Sequence, residues 1–491
     1  MDEASGLEID LNTVKKRSLI GVASLISRSF LVQGIALLSN LLLTIFLDPR
    51  TFGIFFLVSA SINIFRYFSD IGLAAALIQK KEEISEEDLK TTFTIQQVLV
   101  LAVTVLIFIL SPLLKKLYGF DPSAVFLLYS LAISFFLTSL KTIPSVLLER
   151  SLKFNLLIIP QILEMLVYNV LAVILAWKGF GINSFSIAVL AQTLVGLIAI
   201  YVVSPWKIGY AFSRESLRRL LRFGVPYQAN TFVAAAKDDL MTIFLGKVIG
   251  TTGIGYLGWA KKWAEQPLRI LMDNVSKVAF PAFSRLQDEK EKLQKSVEKS
   301  LFFLTFLTFP ILVGFSVLAS DLVKVIPRYL KWQPALLALY LYSFNSAWAT
   351  VSTSMTNLLN AIGRIKTTFK LMIMWLVLTW TIMPLLAIKY GYNGVAMAVA
   401  VISLSSIAAI ISAKKYVNFD LFASVLKPLF ASTLMGFFMY FLKIPYSNLI
   451  LVVIGKTLLG SVFYLFVSRL IIGRSMFVDM SKIYHEIRKN R

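Results

Sequence analysis

TTFTIQQVLVLAVTVLIFILSPLL, residues 91–114, is an apolar stretch without a single charged side chain. About 20 consecutive apolar residues are enough for a helix to cross the hydrocarbon core of a bilayer. A second stretch of this kind, residues 124–148, follows after a short polar break. Because such stretches continue along nearly the whole chain, the sequence predicts an all-α polytopic membrane protein.

The composition of the chain agrees with this class. Of the 491 residues, 57% are hydrophobic and only 15% are charged, and the mean hydropathy is +0.75. The net charge of +22 would suggest a nucleic-acid partner for a soluble protein. In a membrane protein it instead predicts basic cytoplasmic loops that contact anionic lipids, so no nucleic-acid partner is expected.

Cysteine and histidine usage limits the chemistry. The chain has no cysteine, and its single histidine is His485 near the C-terminus. Thiol chemistry, disulfides and a Cys/His zinc site are therefore excluded, and neither a metal site nor a cofactor is expected. The acidic and then basic N-terminal segment lacks the apolar core of a cleavable signal peptide.

About fourteen spans are predicted by the length criterion. Lys and Arg concentrate in one set of alternate connecting segments, such as Lys15–Arg17 and Arg214–Arg222, whereas the other set holds few, such as Arg50 and Lys116. The bias of Lys and Arg toward the cytoplasm places both termini inside, which requires an even number of spans. The expected location is the inner, or plasma, membrane.

The two halves of the chain are similar to each other. LLTIFLDPRTFGIFF (42–56) is similar to LMTIFLGKVIGTTGIGY (240–256), and KGFGINSFSIAV (178–189) is similar to KYGYNGVAMAV (389–399). Six spans per half is an even number, so the halves would cross the membrane in the same direction. A parallel pseudo-repeat of this kind predicts a substrate site between two six-helix lobes, followed by two C-terminal helices.

The predicted organisation follows from the spans and the repeat. Its segments are a cytoplasmic N-terminal segment (1–19), an N-lobe of six spans (20–204), a basic amphipathic cytoplasmic linker (205–224), a C-lobe of six spans (225–413), two further spans (414–472) and a basic cytoplasmic tail (473–491).

Several motifs, in this order, resemble one family. They are LDPRTFGIFFLVSA (47–60), SDIGLAAALIQKKEEIS (69–85), LLERSLKF (147–154), the stretch 222–267 that begins RFGVPYQANTF, and AFPAFSRLQDEKEKL (279–293). Together they resemble the Wzx/WzxC-like polysaccharide-transporter flippases of the MOP exporter superfamily. The resemblance covers about residues 15–415, and the last two spans carry little of it.

The resemblance implies transport rather than bond chemistry. Such proteins are thought to move an oligosaccharide linked to polyprenyl pyrophosphate from the inner to the outer leaflet by alternating access between two lobes. The product would be O-antigen, capsule or exopolysaccharide, and a polysaccharide polymerase and a chain-length regulator would be partners. Alternatives are a MATE-like multidrug antiporter, a membrane glycan polymerase or ligase, which needs a large external loop, and an inactive scaffold.

A route for a sugar and a diphosphate requires a wet cavity lined with cations and hydrogen-bond donors. Arg28 in the first predicted span is one candidate, although its long side chain is also able to snorkel to the headgroups. Arg66 and Asp70 in the second span lie four residues apart and share a helix face. They form either a pair in the lumen that substrate breaks or a permanent structural ion pair.

The seventh predicted span carries Lys237, Asp238 and Asp239 within about one helical turn. Adjacent helical residues point about 100° apart, so these three side chains cannot all face one partner. At least one must pair with another helix. The acids are candidates for a proton or sodium site or for a latch between the lobes, and the alternative is a satisfied packing pair.

The eighth predicted span is the most highly charged. Lys261, Glu265 and Arg269 recur every four residues and form one stripe along a helix. Further charges widen the stripe, and aromatic rings that suit sugars and cations flank it: Lys262, Asp273, Trp259 and Trp263. Such a stripe in mid-chain favours a water-filled lumen over a helix that extends beyond the bilayer.

The tenth predicted span is rich in hydroxyl and amide side chains. Asn345 and Asn357 are its two candidates for hydrogen bonding to sugar. Polar side chains of this kind also pack helices together inside membranes, and the sequence does not separate the two roles.

The topology is directly testable. Reporter fusions after Asn12 and after Arg488 should both read cytoplasmic, and a fusion near Lys116 should read external, because positive loops stay inside. An external C-terminus would remove the fourteen-span arrangement.

Overall fold

In the computed structural model, residues 33–69, 71–80, 82–444 and 448–473 are described. Every regular element in these residues is helical, and they contain no strand. Nine helices of this part are long and apolar enough to cross a membrane. The prediction of an all-α polytopic membrane protein is therefore confirmed, while the number of fourteen spans stays a prediction.

The N-terminal half, residues 33–203, forms eight helices. They are α1 (Gln33–Phe46), α2 (Pro49–Ser69), α3 (Leu73–Gln79), α4 (Glu86–Tyr118), α5 (Pro122–Ser139), α6 (Thr142–Arg150), α7 (Phe154–Trp177) and α8 (Asn183–Val203).

The linker and the C-terminal half form eight more. They are α9 (Arg214–Ala235), α10 (Met241–Arg285), α11 (Lys290–Val325), α12 (Leu336–Ala361), α13 (Ile365–Leu404), α14 (Ile407–Lys414), α15 (Lys427–Phe441) and α16 (Leu449–Ile472). Short π-helical segments, Ala236–Leu240 and Phe422–Leu426, precede α10 and α15, and a 3₁₀ segment, Leu330–Ala335, precedes α12.

Local sequence fixes the ends of α4 and α5. Ser85 and Asp88 form a capping box at the start of α4, where the Asp88 N–H donates to Ser85 Oγ at 3.1 Å. Gly119 ends the helix in a left-handed conformation (φ 63°), and Asp121 caps α5 ahead of Pro122. The turn between them is therefore short and specified by the sequence.

Two long helices each run from one predicted span into the next. Gly250 (φ 71°, ψ 170°) interrupts α10, and Gly391 (φ 62°, ψ −144°) interrupts α13. These positive φ values favour glycine, so the chain reverses there between one span and the next. Both glycines lie in the loop motifs that the two halves share, GTTGIGY and KYGYNG.

Other predicted spans are divided between helices, which corrects the prediction. The second predicted span, residues 52–79, ends as α2 at Ser69 and resumes as the short α3, and the twelfth, residues 392–413, is divided between α13 and α14. The span 124–148 is divided between α5 and α6 near Lys141. Short polar interruptions mark the breaks within residues 52–79 and 124–148 in the sequence: Ser69, Asp70 and Gly72 at the first, and Ser139, Lys141 and Thr142 at the second.

The linker packs onto the N-terminal half through its apolar side. Leu217, Leu220 and Leu221 join Trp206 in an apolar cluster with α3, α4 and α6. The arginines of the linker are exposed on the other side: Arg214, Arg218, Arg219 and Arg222. The linker is therefore amphipathic, and its apolar face packs on the protein.

Asp88 ties the linker to the start of α4. Its carboxylate is almost fully buried and accepts hydrogen bonds from Lys80 Nζ at 2.7 Å and from Ser216 Oγ, while Arg219 lies 3.6 Å away. Burial by itself would raise the pKa of Asp88, but bonds from Lys80, Ser216 and Ser85 outweigh it and lower the pKa to about 2. Asp88 therefore carries its charge throughout the neutral pH range.

The C-terminal helices α15 and α16 pack against α11. Lys456 of α16 forms an ion pair with Asp321 of α11 at 3.0 Å, with both side chains largely buried. The Tyr464 hydroxyl donates to the Phe306 carbonyl at 2.8 Å. These polar contacts fix how the last helix sits on α11, because a polar group in hydrocarbon needs a partner.

The two halves meet most closely where α2 crosses α10. A Cβ atom built on Gly53 would lie 1.6 Å from the Thr251 carbonyl oxygen, and one on Gly255 would lie 1.8 Å from the Pro49 carbonyl oxygen. No side chain fits at either place, so the backbones themselves are in contact. Small residues allow this approach between membrane helices.

This crossing yields a stability prediction. Gly255→Ala should destabilise the protein by about 1–3 kcal/mol, because the new methyl group overlaps rigid backbone. The measurement is the unfolding midpoint of the purified protein in detergent. Gly34→Ala is the matched control: its Cβ meets nothing within 4 Å, so this change should be neutral or slightly stabilising. Equal midpoints for the two variants would contradict the close crossing.

Candidate functional site

A cavity of about 800 Å³ lies between the two halves. Its walls come from α2, the π-helical segment, α10, α12 and α13, with Ser406 at its edge. Eight of the predicted site residues line it: Lys237, Asp238, Asp239, Lys261, Lys262, Glu265, Arg269 and Asn345. Tertiary structure thus brings charges from the seventh and eighth predicted spans and an amide from the tenth to one place.

The charges in the cavity are partly paired with each other. Arg269 Nη2 donates to Glu265 Oε2 at 2.9 Å, and the Arg269 side chain remains 68% exposed. Lys237 Nζ lies 4.0 Å from Asp238 Oδ1. Lys261 interacts electrostatically with Glu265 and Asp238. This pairing is loose enough that an anionic ligand could compete for the cations.

Asp239 is held from the opposite half. Its carboxylate interacts with the side chain of Asn63 in α2. The π-helical segment Ala236–Leu240 places Asp239 there, because a π turn shifts the direction of the side chains that follow it. This agrees with the argument that one of the three adjacent charges must pair with another helix.

Beside the cavity, the two halves are joined by a buried cluster, here called the seal, formed by Thr44, Trp259, Tyr329 and Trp332. The Trp332 ring is fully buried and stacks on Trp259 with centroids 5.3 Å apart. Its Nε1 donates to the Thr44 carbonyl at 2.8 Å, and Thr44 Oγ1 lies 2.8 Å from the Tyr329 hydroxyl. The seal lies at the Gly250 end of α10.

Further contacts join the two halves beside the seal. Lys331 Nζ donates to the Ile45 carbonyl at 2.8 Å and lies 3.9 Å from Asp48. The Tyr118 hydroxyl donates to the Ile243 carbonyl at 3.0 Å, which again joins the N-terminal half to α10. In contrast, Arg269 and Glu265 lie several turns from Gly250 along α10, on the far side of the seal.

Trp259 corrects one prediction. It was expected to flank a lumen, but only 3% of it is exposed, and its Nε1 donates to the Tyr329 hydroxyl at 3.3 Å. Trp263, one turn farther on, does not line the main cavity either. It lines a second cavity of about 240 Å³ next to Lys262. The two tryptophans of the charged helix thus lie in different places: Trp259 belongs to the seal, and Trp263 lines the second cavity.

Other predicted residues lie outside the cavity lining. Asp273 is exposed one turn beyond Arg269. Asn357 Nδ2 donates to Ser276 Oγ at 2.9 Å, which is the helix-packing role that the sequence left open. Arg66 is exposed in the last turn of α2 and does not contribute to the lining. Arg28 and Asp70 lie outside the described residues.

Several polar residues of the cavity were missed by the sequence analysis, notably Asn63, Gln266 and Tyr342. Asn63 is the only amide in α2, three residues before Arg66, and that isolation in an apolar helix was the available signal. Gln266 follows Glu265 in the charged stripe. No group of three or more His, Cys, Asp or Glu side chains in the described ranges could hold a metal ion.

The model of one protein family, described as "Polysaccharide biosynthesis protein", matches residues 42–336. That match covers more than half of the chain. The chain belongs to the polysaccharide biosynthesis protein family. The prediction from the motifs is confirmed, and the matched residues contain the seal and most of the charged residues of the cavity.

A curated relative of this polysaccharide biosynthesis protein is the lipopolysaccharide biosynthesis protein WzxC of Escherichia coli strain K12. The two are 25% identical over 367 residues, which is 73% of each chain.

Two solved structures share the fold. The lipid II flippase MurJ in an inward closed conformation superposes with a TM-score of 0.75 at 19% identity, over 91% of this chain and 98% of that one. A multidrug resistance MATE family transporter of the MOP superfamily, in an inward-facing conformation, gives 0.59 at 18% identity, over 77% and 92%. At these identities the likeness concerns the fold alone.

Water access to the charged stripe can be tested with cysteine, because this family member has no native thiol. Glu265→Cys and Arg269→Cys should both react with a small membrane-impermeant thiol reagent, since both positions line the cavity. Ala264→Cys is the control and should be protected, because Ala264 is fully buried. Mass spectrometry of the labelled protein gives the readout. Protection of all three would mean that the cavity is closed to water.

Proposed function

We propose that this protein moves an oligosaccharide linked to a polyprenyl pyrophosphate from the inner to the outer leaflet by alternating access between its two halves. The observation that carries the proposal is the charged, 800 Å³ cavity between the halves of an otherwise apolar helical bundle, in a member of the polysaccharide biosynthesis protein family. Such charges in a membrane interior usually mark a pathway for a polar substrate.

The size and charge of the cavity suit a glycan with a diphosphate. A volume of about 800 Å³ lies in the upper part of the range for small-molecule sites, which is about 300–1,000 Å³. The described lining includes four cations, Lys237, Lys261, Lys262 and Arg269, against three acids, Asp238, Asp239 and Glu265. An exporter of cationic drugs would need the opposite balance, so the MATE-like alternative is less well supported.

Arg269 is the best candidate for gripping the diphosphate. Its guanidinium is exposed to the cavity and uses Nη2 to bond Glu265, so other donors of the fork point elsewhere. Arginine binds phosphate oxygens in a bidentate manner, which a lysine ammonium cannot do. Hydroxyl and amide side chains such as Asn345 and Thr353 would hydrogen-bond the sugar. The lipid tail would stay in the bilayer.

The seal would be the outer gate. In the proposed topology the Gly250 turn faces outward, so Trp332 and Tyr329 close the outer side while the cavity is reached from the inside. Release on the outer side would require Trp332 to leave the Thr44 carbonyl. A rocking movement of the halves about the α2–α10 crossing would separate them, and it would bring the inner ends together.

A polymerase or ligase is less consistent with the chain. The longest described stretch outside a helix is the linker segment 204–213, so a large catalytic loop is lacking in the described residues. The proposed role is therefore non-enzymatic, in the inner membrane with both termini in the cytoplasm. A polysaccharide polymerase and a chain-length regulator would act on the exported product. Na⁺ or H⁺ would be the coupling ion, with Asp238 and Asp239 as its ligands.

Arg269 gives the decisive test of the proposal. In proteoliposomes loaded with a lipid-linked glycan, Arg269→Gln should lower the transport rate at least about tenfold, because the loss of one charge-assisted bond to phosphate costs about 1.5–3 kcal/mol. Arg269→Lys should recover only part of the rate if the bidentate fork is needed. The measurement is the time course of glycan appearance on the opposite leaflet.

The ion pair with Glu265 supplies the control. Because Arg269 is largely exposed, the pair should contribute at most about 1 kcal/mol to stability. Arg269→Gln should therefore accumulate and unfold like the wild type. The double change Arg269→Gln, Glu265→Gln should transport as poorly as the single change. Full recovery of transport in the double variant would show that Arg269 only neutralises Glu265.

A further inference from the structure

The second cavity, of about 240 Å³, is a side chamber of the main one. Its walls are α1, α2, α7 and α8 of the N-terminal half and one face of α10. Phe56, Lys262 and Gln266 line both cavities, so the two cavities share this wall. A ligand in the main cavity therefore lies next to the side chamber, with only these side chains between them.

Aromatic rings form most of the chamber wall. Phe55 stacks on Phe185 with centroids 4.3 Å apart, and Phe52 packs edge-on against Phe185 at 5.6 Å. Tyr168 and Trp263 are further aromatic residues of this lining. Since the rings are fixed by packing on each other, the chamber is preformed. Its walls suit a flat ligand with C–H faces and polar edges.

Asn40 gives the chamber a polar requirement. Only 6% of Asn40 is exposed, and its Oδ1 has no hydrogen-bond partner within the described residues. The neighbouring Asn169 is already fixed, since its Nδ2 donates to the Met165 carbonyl at 2.8 Å. A buried acceptor without a donor is unfavourable, so the chamber calls for a ligand with hydroxyl groups. An acyl chain cannot supply a donor.

Lys262 places a positive charge at the wall that the two cavities share. It is exposed to the cavities, and no carboxylate of the described residues lies within ion-pair distance of it. Arg269 and Lys237 in the main cavity each have an acidic partner. A lysine at this depth in a membrane protein needs an anion. The ligand group next to the hydroxyls should therefore be negatively charged.

We propose that the side chamber is a sugar subsite: it holds one ring of the glycan, with ring hydroxyls donating to Asn40 and an anionic group against Lys262. This deepens the proposed function and rests on it. A volume of 240 Å³ is below that of a drug-sized site, so it suits one ring rather than several. The anion is either the diphosphate or a carboxylate on the ring.

The chamber also requires both halves to be in this arrangement. Asn40 and Asn169 belong to the N-terminal half, whereas Lys262, Trp263 and Gln266 belong to α10. A sugar ring bound here contacts both sides of the interface. It therefore favours the present arrangement of the halves and leaves the chamber when they move apart.

The test uses two single-cysteine proteins in nanodiscs, because the native chain has no thiol. Ala36→Cys reports on the side chamber and Thr353→Cys on the main cavity. The rate of modification by a small methanethiosulfonate is measured with three probes: a short polyprenyl diphosphate without sugar, the same carrier bearing one neutral hexose, and the carrier bearing one hexuronic acid.

The proposal expects the sugar-free carrier to slow modification of Thr353→Cys only. At least one sugar-bearing carrier should also slow modification of Ala36→Cys, about tenfold at saturation. If no carrier protects Thr353→Cys, the proposed function itself fails. If the sugar carriers protect Thr353→Cys but leave Ala36→Cys fully reactive, the chamber holds only water and the subsite proposal fails while the transport proposal stands.

Substitutions identify the partners. Asn40→Leu is made in both single-cysteine proteins. It should abolish sugar protection of Ala36→Cys, while protection of Thr353→Cys by the sugar-free carrier should persist as proof of folding. Gln96→Leu is the matched control, since Gln96 is also a buried amide with an unpartnered oxygen but lines neither cavity. With Gln96→Leu, the sugar-bearing carriers should protect Ala36→Cys as well as they do in the parent protein. Equal protection with Asn40→Leu would overturn the subsite.

Lys262→Gln separates the two sources of the anion. If Lys262 binds the diphosphate, this change should weaken Ala36→Cys protection by the neutral and the acidic carrier equally. If it binds a ring carboxylate, only protection by the hexuronic acid carrier should weaken. Unchanged protection by both carriers would remove Lys262 from the subsite.

Discussion

The contact of α2 with α10 at Gly53 and Gly255 is the constraint on which the rest of the structure depends. Because the backbones touch there, the side chains on either side of the crossing must fill the space between the halves. On one side Trp332 and Trp259 fill it completely and form the seal. On the other side charged side chains leave it open. One close crossing thus leaves both a packed seal and an open cavity between the halves.

Charged side chains are tolerated in this bundle in two kinds of place: in the cavities and in buried ion pairs. A charged side chain in hydrocarbon is unfavourable by several kcal/mol, whereas in a wet cavity it keeps much of its hydration. The described charges follow this rule in two ways. Lys456 and Asp321, away from the cavity, are buried and paired at 3.0 Å. Arg269 and Lys262 face the cavities and stay accessible to a ligand. Buried pairs hold helices together, and accessible cations are available for transport.

Polar groups where the linker meets the start of α4 have a structural role instead. Asp88 is buried, ionised and bonded to Lys80 and Ser216, so it holds the linker against the N-terminal half. The linker is the only covalent connection between the halves, and its fixed end makes α9 and the π-helical segment a defined path into α10.

The sequence by itself determined the class, the family and the charged stripe. Spanning apolar runs need helices because the bilayer offers backbone groups no other partner, and the i, i+4 spacing of Lys261, Glu265 and Arg269 places them on one face of any helix. Tertiary structure alone decided which aromatic ring seals the halves and which lines a chamber. Trp259 and Trp263 are one turn apart, and only the position of Trp332, from the segment that precedes α12, separates their roles. It also decided that Asn63 meets Asp239 and that Asn40 remains without a donor, because such pairings join residues far apart in sequence. Spacing along one helix says nothing about which helix will lie opposite.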